Sequence, residues 1–336
     1  MPDKDVRANT YFEDPEHCAD LLNGFGFQGK QYVLPEHIQI RNQNNALPNT
    51  KDKSKETISI YRDVVVEANI LCESSDSIKD IAHHGKYIQM KTAIITLENQ
   101  SDIHYAMPVR VMSGDSANYH NQWRKIAKKH KKNKDLKGME FLSGFAKEDK
   151  LTPLSTIVVY FGNEPWNGPR CLKDMLDLEG LPQEMLDIIA DYPLNILEVR
   201  RYLDYENFQT DFQLVCGFLQ RDKDSASLDS YVKTHTAEFQ DLSEETFQLI
   251  NNYSNSNYLI KTKETYQTET GGINMCKAIE DLILQGEERG LERGIESIIK
   301  ICQEFGVTAD LTLQRIITDF SLDEAKAKEY MGKYWV

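Results

Sequence analysis

The chain has 336 residues, with 39 Lys+Arg against 53 Asp+Glu for a formal charge of −14; 40% of residues are hydrophobic and 27% charged. That length holds one large domain or two ordinary ones, and the apolar share suffices for a packed core, which excludes wholesale disorder and collagen-like repeats. The acidic total argues against non-specific coating of nucleic acid, and the longest apolar run (157–161) is far too short to span a bilayer. MPDKDVR offers no signal-peptide core, so a cytoplasmic globular protein without membrane contact is expected. The six cysteines show no C-x-x-C and no zinc-finger spacing, and read as small core residues.

The first predicted element is a helix over 14–23, opened by Pro15, patterned by Cys18, Leu21 and Leu22, and stopped by Gly24 and Gly26. Asp20 lies on its polar flank. Residues 41–56 are polar and read as a loop. Two β-favouring runs follow, 58–66 and 87–97, then a long helix over 107–132 and a wholly apolar strand over 155–161 that suits the middle of a sheet. Beyond the Gly and Pro breaks at 162–169, helical pattern returns at 181–190, a strand at 194–199 and an amphipathic helix at 208–220. From about Leu228 the chain reads as helix, so a boundary is set between an α/β part (1–225) and a helical C-terminal region (226–336). There Gly286, Gly290 and Gly294 recur every four residues, which suits either a close helix crossing with self-association or a solvated linker helix.

Charge is unevenly spread. Residues 121–150 carry ten Lys+Arg against four acids, a net of +6, so the remainder sums to −20. Arg124, Lys125, Lys128, Lys129, Lys131, Lys132 and Lys134 cluster toward the end of the long helix. Cations gathered on an acidic molecule suit a polyanion, although lysines also complement a helix C-terminus.

On the second run, alternation places Ile94, Thr96, Glu98 and Gln100 on one face, with Glu98 and Gln100 about 7 Å apart. On the first, Asp63 interrupts an apolar stretch (IYRDVVV) and puts a carboxylate where burial is costly unless it is paired or bound to a cation. Two acids on neighbouring strands would suit a hard divalent cation. The spacing alone equally allows Asp63 to pair with Arg62 or cap a strand end while Glu98 faces solvent.

Taken together, the segments ADLLNGFGFQGKQYV (19–33), YRDVVV (61–66), TLENQSDIHYAMPVRVMSGDSANY (96–119), PLSTIVVYFGNEPWNGP (153–169), YPLNILEVR (192–200) and the GEERGLERG tail resemble the recombination-promoting nuclease, or transposase, family of bacteria. The resemblance implies a PD-(D/E)XK nuclease core, a mixed central sheet flanked by helices. It implies Mg²⁺ (Mn²⁺ as substitute) held by Asp63 and Glu98, and hydrolysis of DNA. Gln100 stands where the usual signature has lysine; an amide can orient a water but lacks the lysine charge. Asp20 falls where many members carry an additional acid, which would complete the metal shell or else cap and solvate the helix. Arg110 would hold a scissile phosphate or pair with Glu98 or Asp63, and the basic run would track DNA phosphates.

The expectation is therefore a Mg²⁺-dependent DNA endonuclease with catalytic Asp63, Glu98 and Gln100, able to form homo-oligomers through its C-terminal helices. The alternative is a catalytically weak nucleic-acid-binding or assembly protein that keeps the nuclease fold.

Overall fold

The computed structural model describes residues 2–41, 44–46, 59–61, 63–72, 89–254 and 263–335. Most of the expected 41–56 loop, Arg62 and the adjacent His83 and His84 lie outside them. Five strands, β1 (Ile38–Arg41), β4 (Val64–Cys72), β5 (Gln89–Gln100), β6 (Leu154–Tyr160) and β7 (Asn195–Glu198), form one sheet in the order β1-β4-β5-β6-β7. The β1–β4 and β4–β5 pairs are antiparallel, and the β5–β6 and β6–β7 pairs parallel. The sheet is thus mixed, with β5 at its centre. Strands β2 (Asn44–Ala46) and β3 (Ser59–Tyr61) form a separate antiparallel pair.

The strand expected at 58–66 is therefore two pieces in different sheets. β3 ends at Tyr61, and β4 starts at Val64 and runs on to Cys72, paired with β5 along its whole length. Asp63 consequently sits half-buried at the mouth of β4 rather than inside an apolar strand.

Helices cover both faces. Thr96, Val158 and Tyr160 point to α3 (Met107–Asn133), whose Met107 and Val111 pack with Val158, Tyr160 and Trp166. Trp166 crosses the Tyr160 ring edge-on at 5.2 Å between centroids, so this pair packs the sheet end. Each such buried side chain contributes about 1.5–3 kcal/mol. The opposite face, with Val64, Val66, Leu97 and Val159, is buried on the side of α1 (Pro2–Phe12), where Asn9 receives a hydrogen bond from the Asn99 amide. The sequence reading overlooked α1, yet Ala8, Tyr11 and Phe12 are buried at helical spacing.

Helix α2 (Pro15–Leu21) begins where Asp14 accepts from the backbone N–H of Glu16 and His17, with Pro15 in the first turn. A short α4 (Gly138–Ser143) follows α3, and α5 (Gln183–Ile188) precedes β7. Helix α6 is shorter than expected, Phe212–Leu219, and Phe212 and every residue from Leu214 to Leu219 are buried. It is not amphipathic, because Phe12 and Phe208 pack edge-on against Phe212 and Gly217 lies directly under the Tyr231 ring of α7 (Ser225–Thr234).

Contacts divide the chain into two compact units, residues 1–235 with 242–262, and 236–241 with 263–336. The first therefore keeps α9 (Glu244–Ser254) in addition to the sheet, beyond the boundary expected at 225. The second holds α8 (Thr236–Phe239), α10 (Met275–Glu304), α11 (Ala309–Phe320) and α12 (Glu324–Tyr334). Its core is Ile295, Ile299, Ile316 and Ala327. Of the three spaced glycines, Gly294 meets the Phe320 ring, whereas Gly286 and Gly290 face open space. Among the described residues no helix is long and apolar enough to cross a membrane.

Candidate functional site

The β4–β5 register brings two acids level. Val64 lies opposite Leu97, so Asp63, the bend residue just before β4, falls at the Glu98 end of β5, where Glu98 shares a sheet face with Thr96 and Gln100. The Asp63 carboxylate accepts the Asn99 backbone N–H at 2.8 Å, which ties the mouth of β4 to the end of β5. Glu98 is fully buried, and the Arg110 guanidinium from the first turn of α3 reaches it at 2.7 Å. Arg110 is itself partly exposed, so it closes the buried carboxylate off from one side. Removing a carboxylate from water without a partner costs several kcal/mol, and this ion pair offsets that cost. Gln100 ends β5, half-buried, where its carbonyl accepts from Phe161.

Asp20 stands elsewhere. Its buried carboxylate receives the N–H of Gln209 at 2.7 Å, the N–H of Thr210 at 3.0 Å and the Thr210 hydroxyl at 2.6 Å, which anchors the turn leading into α6. Among the described residues no three His, Cys, Asp or Glu side chains gather closely enough to hold a metal, so Asp20 does not join Asp63 and Glu98 in one carboxylate cluster. The pair nevertheless offers only oxygen donors, with an amide nearby, which is the donor set Mg²⁺ takes when waters and phosphate complete its shell.

Further along the same face, Thr156 of β6 donates to Asp115 of α3 at 2.6 Å, and Thr96 stands 2.5 Å from the Thr156 oxygen. Since the Thr156 proton goes to Asp115, the Thr96 hydroxyl must be the donor between the two threonines. Tyr192 donates to the other Asp115 oxygen. Asp115 was not singled out from the sequence, although it falls on the buried Met107, Val111, Asn118 stripe of α3; an acid on that stripe was the available signal.

The basic residues divide into two groups. Arg124, Lys125 and Lys128 line a groove of about 1130 Å³ between α3 and the sheet, together with Arg41, Glu67, Ile94 and Lys150. Glu67 is paired with Arg41 at 2.5 Å, so the other cations there outnumber the acids. Val65 also lines the groove, whereas Asp63, Glu98, Gln100 and Arg110 lie outside its lining. Lys129, Lys131, Lys132 and Lys134 are exposed beyond it.

At the end of α3, His130 is clamped between Asp135 at 2.8 Å and Asp149 at 2.9 Å, one carboxylate on each ring nitrogen. The hydrogen bond to Asp135 raises the His130 pKa above its ordinary value; desolvation opposes it, and the bond to Asp149 adds to the rise. Both carboxylates are correspondingly lowered, Asp135 chiefly by His130 and Asp149 chiefly by the Ala146 N–H.

Comparison of the chain with protein-family models, curated proteins and solved structures returned no match.

Proposed function

We propose that this chain is a Mg²⁺-dependent endonuclease that hydrolyses DNA phosphodiester bonds, of the PD-(D/E)XK kind that its sequence resembles and associated with recombination or mobile elements. The observation that carries the reading is that Asp63 and Glu98 meet at the joined ends of β4 and β5, in a unit whose sheet also borders a cation-lined groove. Asp63 and Glu98 would hold the cation, Mn²⁺ serving in place of Mg²⁺. When bound, such an ion lowers the pKa of water and offsets charge on the phosphate. Gln100 would orient the attacking water through its amide, and Arg124, Lys125 and Lys128 would hold neighbouring phosphates.

A second reading has one observation in its favour. Arg110 pairs with Glu98, which suits a nucleic-acid-binding or assembly protein that keeps the nuclease architecture. Supercoiled plasmid incubated with Mg²⁺ or Mn²⁺ discriminates them. The nuclease reading expects nicking by the parent, loss of at least two orders of magnitude in Asp63→Ala and Glu98→Ala, and retained DNA binding in both. Cleavage by both variants at the parent rate would remove these residues from the active site, and a parent that binds without cutting would favour the second reading.

A further inference from the structure

Two ion pairs of the first unit are built differently. Arg200 and Asp222 are enclosed together, with side chains 5% and 9% exposed, and Arg200 also donates to the carbonyls of Phe161, Leu219 and Tyr253. That pair ties segments together. Glu98 is 0% exposed, whereas the Arg110 side chain that reaches it at 2.7 Å is 36% exposed. Among the described residues Glu98 is the one ion-pair partner of Arg110. The helix beneath Arg110 is fixed: Met107 and Val111, on either side of it in sequence, are buried against Val158, Tyr160 and Trp166. One turn further on, Asp115 accepts from Thr156 at 2.6 Å and from Tyr192. The backbone of α3 is thereby held against the sheet, and the pair opens by rotation of the Arg110 side chain toward its solvent side.

Charge sets what such an opening requires. A buried carboxylate is costly to leave unpaired, so Arg110 departs only when another cation takes its place on Glu98. Asp63, which accepts the Asn99 N–H at the same end of β5, supplies a second carboxylate there. Two cations on one carboxylate repel each other at contact distance, which makes a divalent ion and the guanidinium alternatives on Glu98. The displaced guanidinium is a planar fork of donors. A phosphate matches that fork with two of its oxygens, and the exposed side of Arg110 is where it would arrive.

We infer that Arg110 is an exchangeable cation of the carboxylate site: it holds Glu98 until a backbone phosphate of DNA takes its guanidinium, and Asp63 and Glu98 then accept the divalent ion. The identity of ion and phosphate rests on the proposed function. Metal loading away from DNA is thereby suppressed. Coupling of this kind is reciprocal, so each ligand tightens the binding of the other by the same factor.

The test is calorimetric titration of the full-length protein with Mn²⁺, with no DNA added. Arg110→Met removes the charge and keeps the side-chain length; it should bind Mn²⁺ about tenfold more tightly than the parent, and adding Asp63→Ala or Glu98→Gln should remove the gain. Loss of an arginine that only supported the fold would weaken the ion or leave it unchanged. A second arm follows the anisotropy of a labelled duplex in EDTA and in Ca²⁺ at matched ionic strength, with the strands checked intact afterwards. Ca²⁺ should tighten duplex binding by the parent about tenfold and by Arg110→Met to a smaller factor. Unchanged or weaker Mn²⁺ binding by a folded Arg110→Met overturns the inference, as does an equal Ca²⁺ factor in both proteins. If Arg110→Met does not fold, Arg110→Lys keeps the charge and assigns, by the missing signal, the Arg110 guanidinium in the ¹⁵N spectrum of the parent. That signal should shift when duplex and Ca²⁺ are added together, and a signal that stays in place overturns the inference. A parent that nicks plasmid in Mg²⁺ yet fails these tests keeps the nuclease reading and loses the exchange. Mn²⁺ bound by neither parent nor Arg110→Met, with no nicking, removes both.

Discussion

Gln100 carries the sharpest chemical consequence of any single residue here. If the site works as proposed, Gln100→Lys restores a cation beside the attacking water, and plasmid cleavage should be retained or increased; abolition would assign the amide a specific contact. His130 has its charge coupled to two carboxylates. Because Asp135 and Asp149 raise its folded pKa, its stabilising contribution is complete below the ordinary histidine value of about 6.5 and is lost as pH rises through the raised value. Amide hydrogen exchange corrected for intrinsic rate should therefore show residues 138–149 opening more readily as pH climbs through that window. His130→Gln should abolish the dependence, and an identical pH profile in that variant would sink the idea.

At the scale of elements, Arg200 performs work that no helix or strand does. It is buried just past β7 and donates to the carbonyls of Phe161 at 3.1 Å, Leu219 at 2.5 Å and Tyr253 at 2.7 Å, and to the Asp222 carboxylate at 2.7 Å. One guanidinium thus gathers the end of β6, the end of α6 and the end of α9 by donating to a carbonyl at each. Phe161 stacks on Tyr253 at 3.9 Å over the same junction. Arg200→Ala should cost about 3–5 kcal/mol in urea unfolding, since it removes a buried guanidinium that pairs with Asp222 and donates to three carbonyls at once. Arg200→Lys should recover only part of this, because one ammonium cannot span the fork; a loss under about 1 kcal/mol for Arg200→Ala would show that water replaces the hub.

For the whole molecule, the two compact units make a division of labour testable. The sheet, the carboxylate pair and the groove all lie in the first unit, whereas the second carries exposed Ile283, Leu284, Ile301 and Phe305 on α10 and the turn after it. Exposed apolar side chains of that kind, with Gly286 and Gly290 open on the same helix, suit self-association. A chain stopped before Lys263 should retain a cooperative unfolding transition and fall to a lower oligomeric order in light scattering. The same number of copies per particle in both forms would remove that role from the C-terminal helices.

Local pattern was enough for the long helix ending near Asn133, the buried strand β6 and the helical C-terminal region, because each is declared by a periodic run of side chains that neighbours in sequence can report. Alternation likewise put Glu98 and Gln100 on one face, and composition alone isolated the basic window. Pairing was another matter. Whether Asp63 stood inside a strand or at its mouth depended on the register between β4 and β5, whose pairings at that end join residues more than thirty positions apart and are encoded by no local propensity. The same holds for Asp20, whose partners Gln209 and Thr210 lie 189 and 190 residues away, and for Arg110, whose choice of Glu98 required α3 to fold back over the sheet. Covalent neighbours determine which way a side chain points along its own element; only tertiary structure decides what waits there, because burial, and with it the cost of leaving a charge unpaired, exists only once distant segments have closed around it.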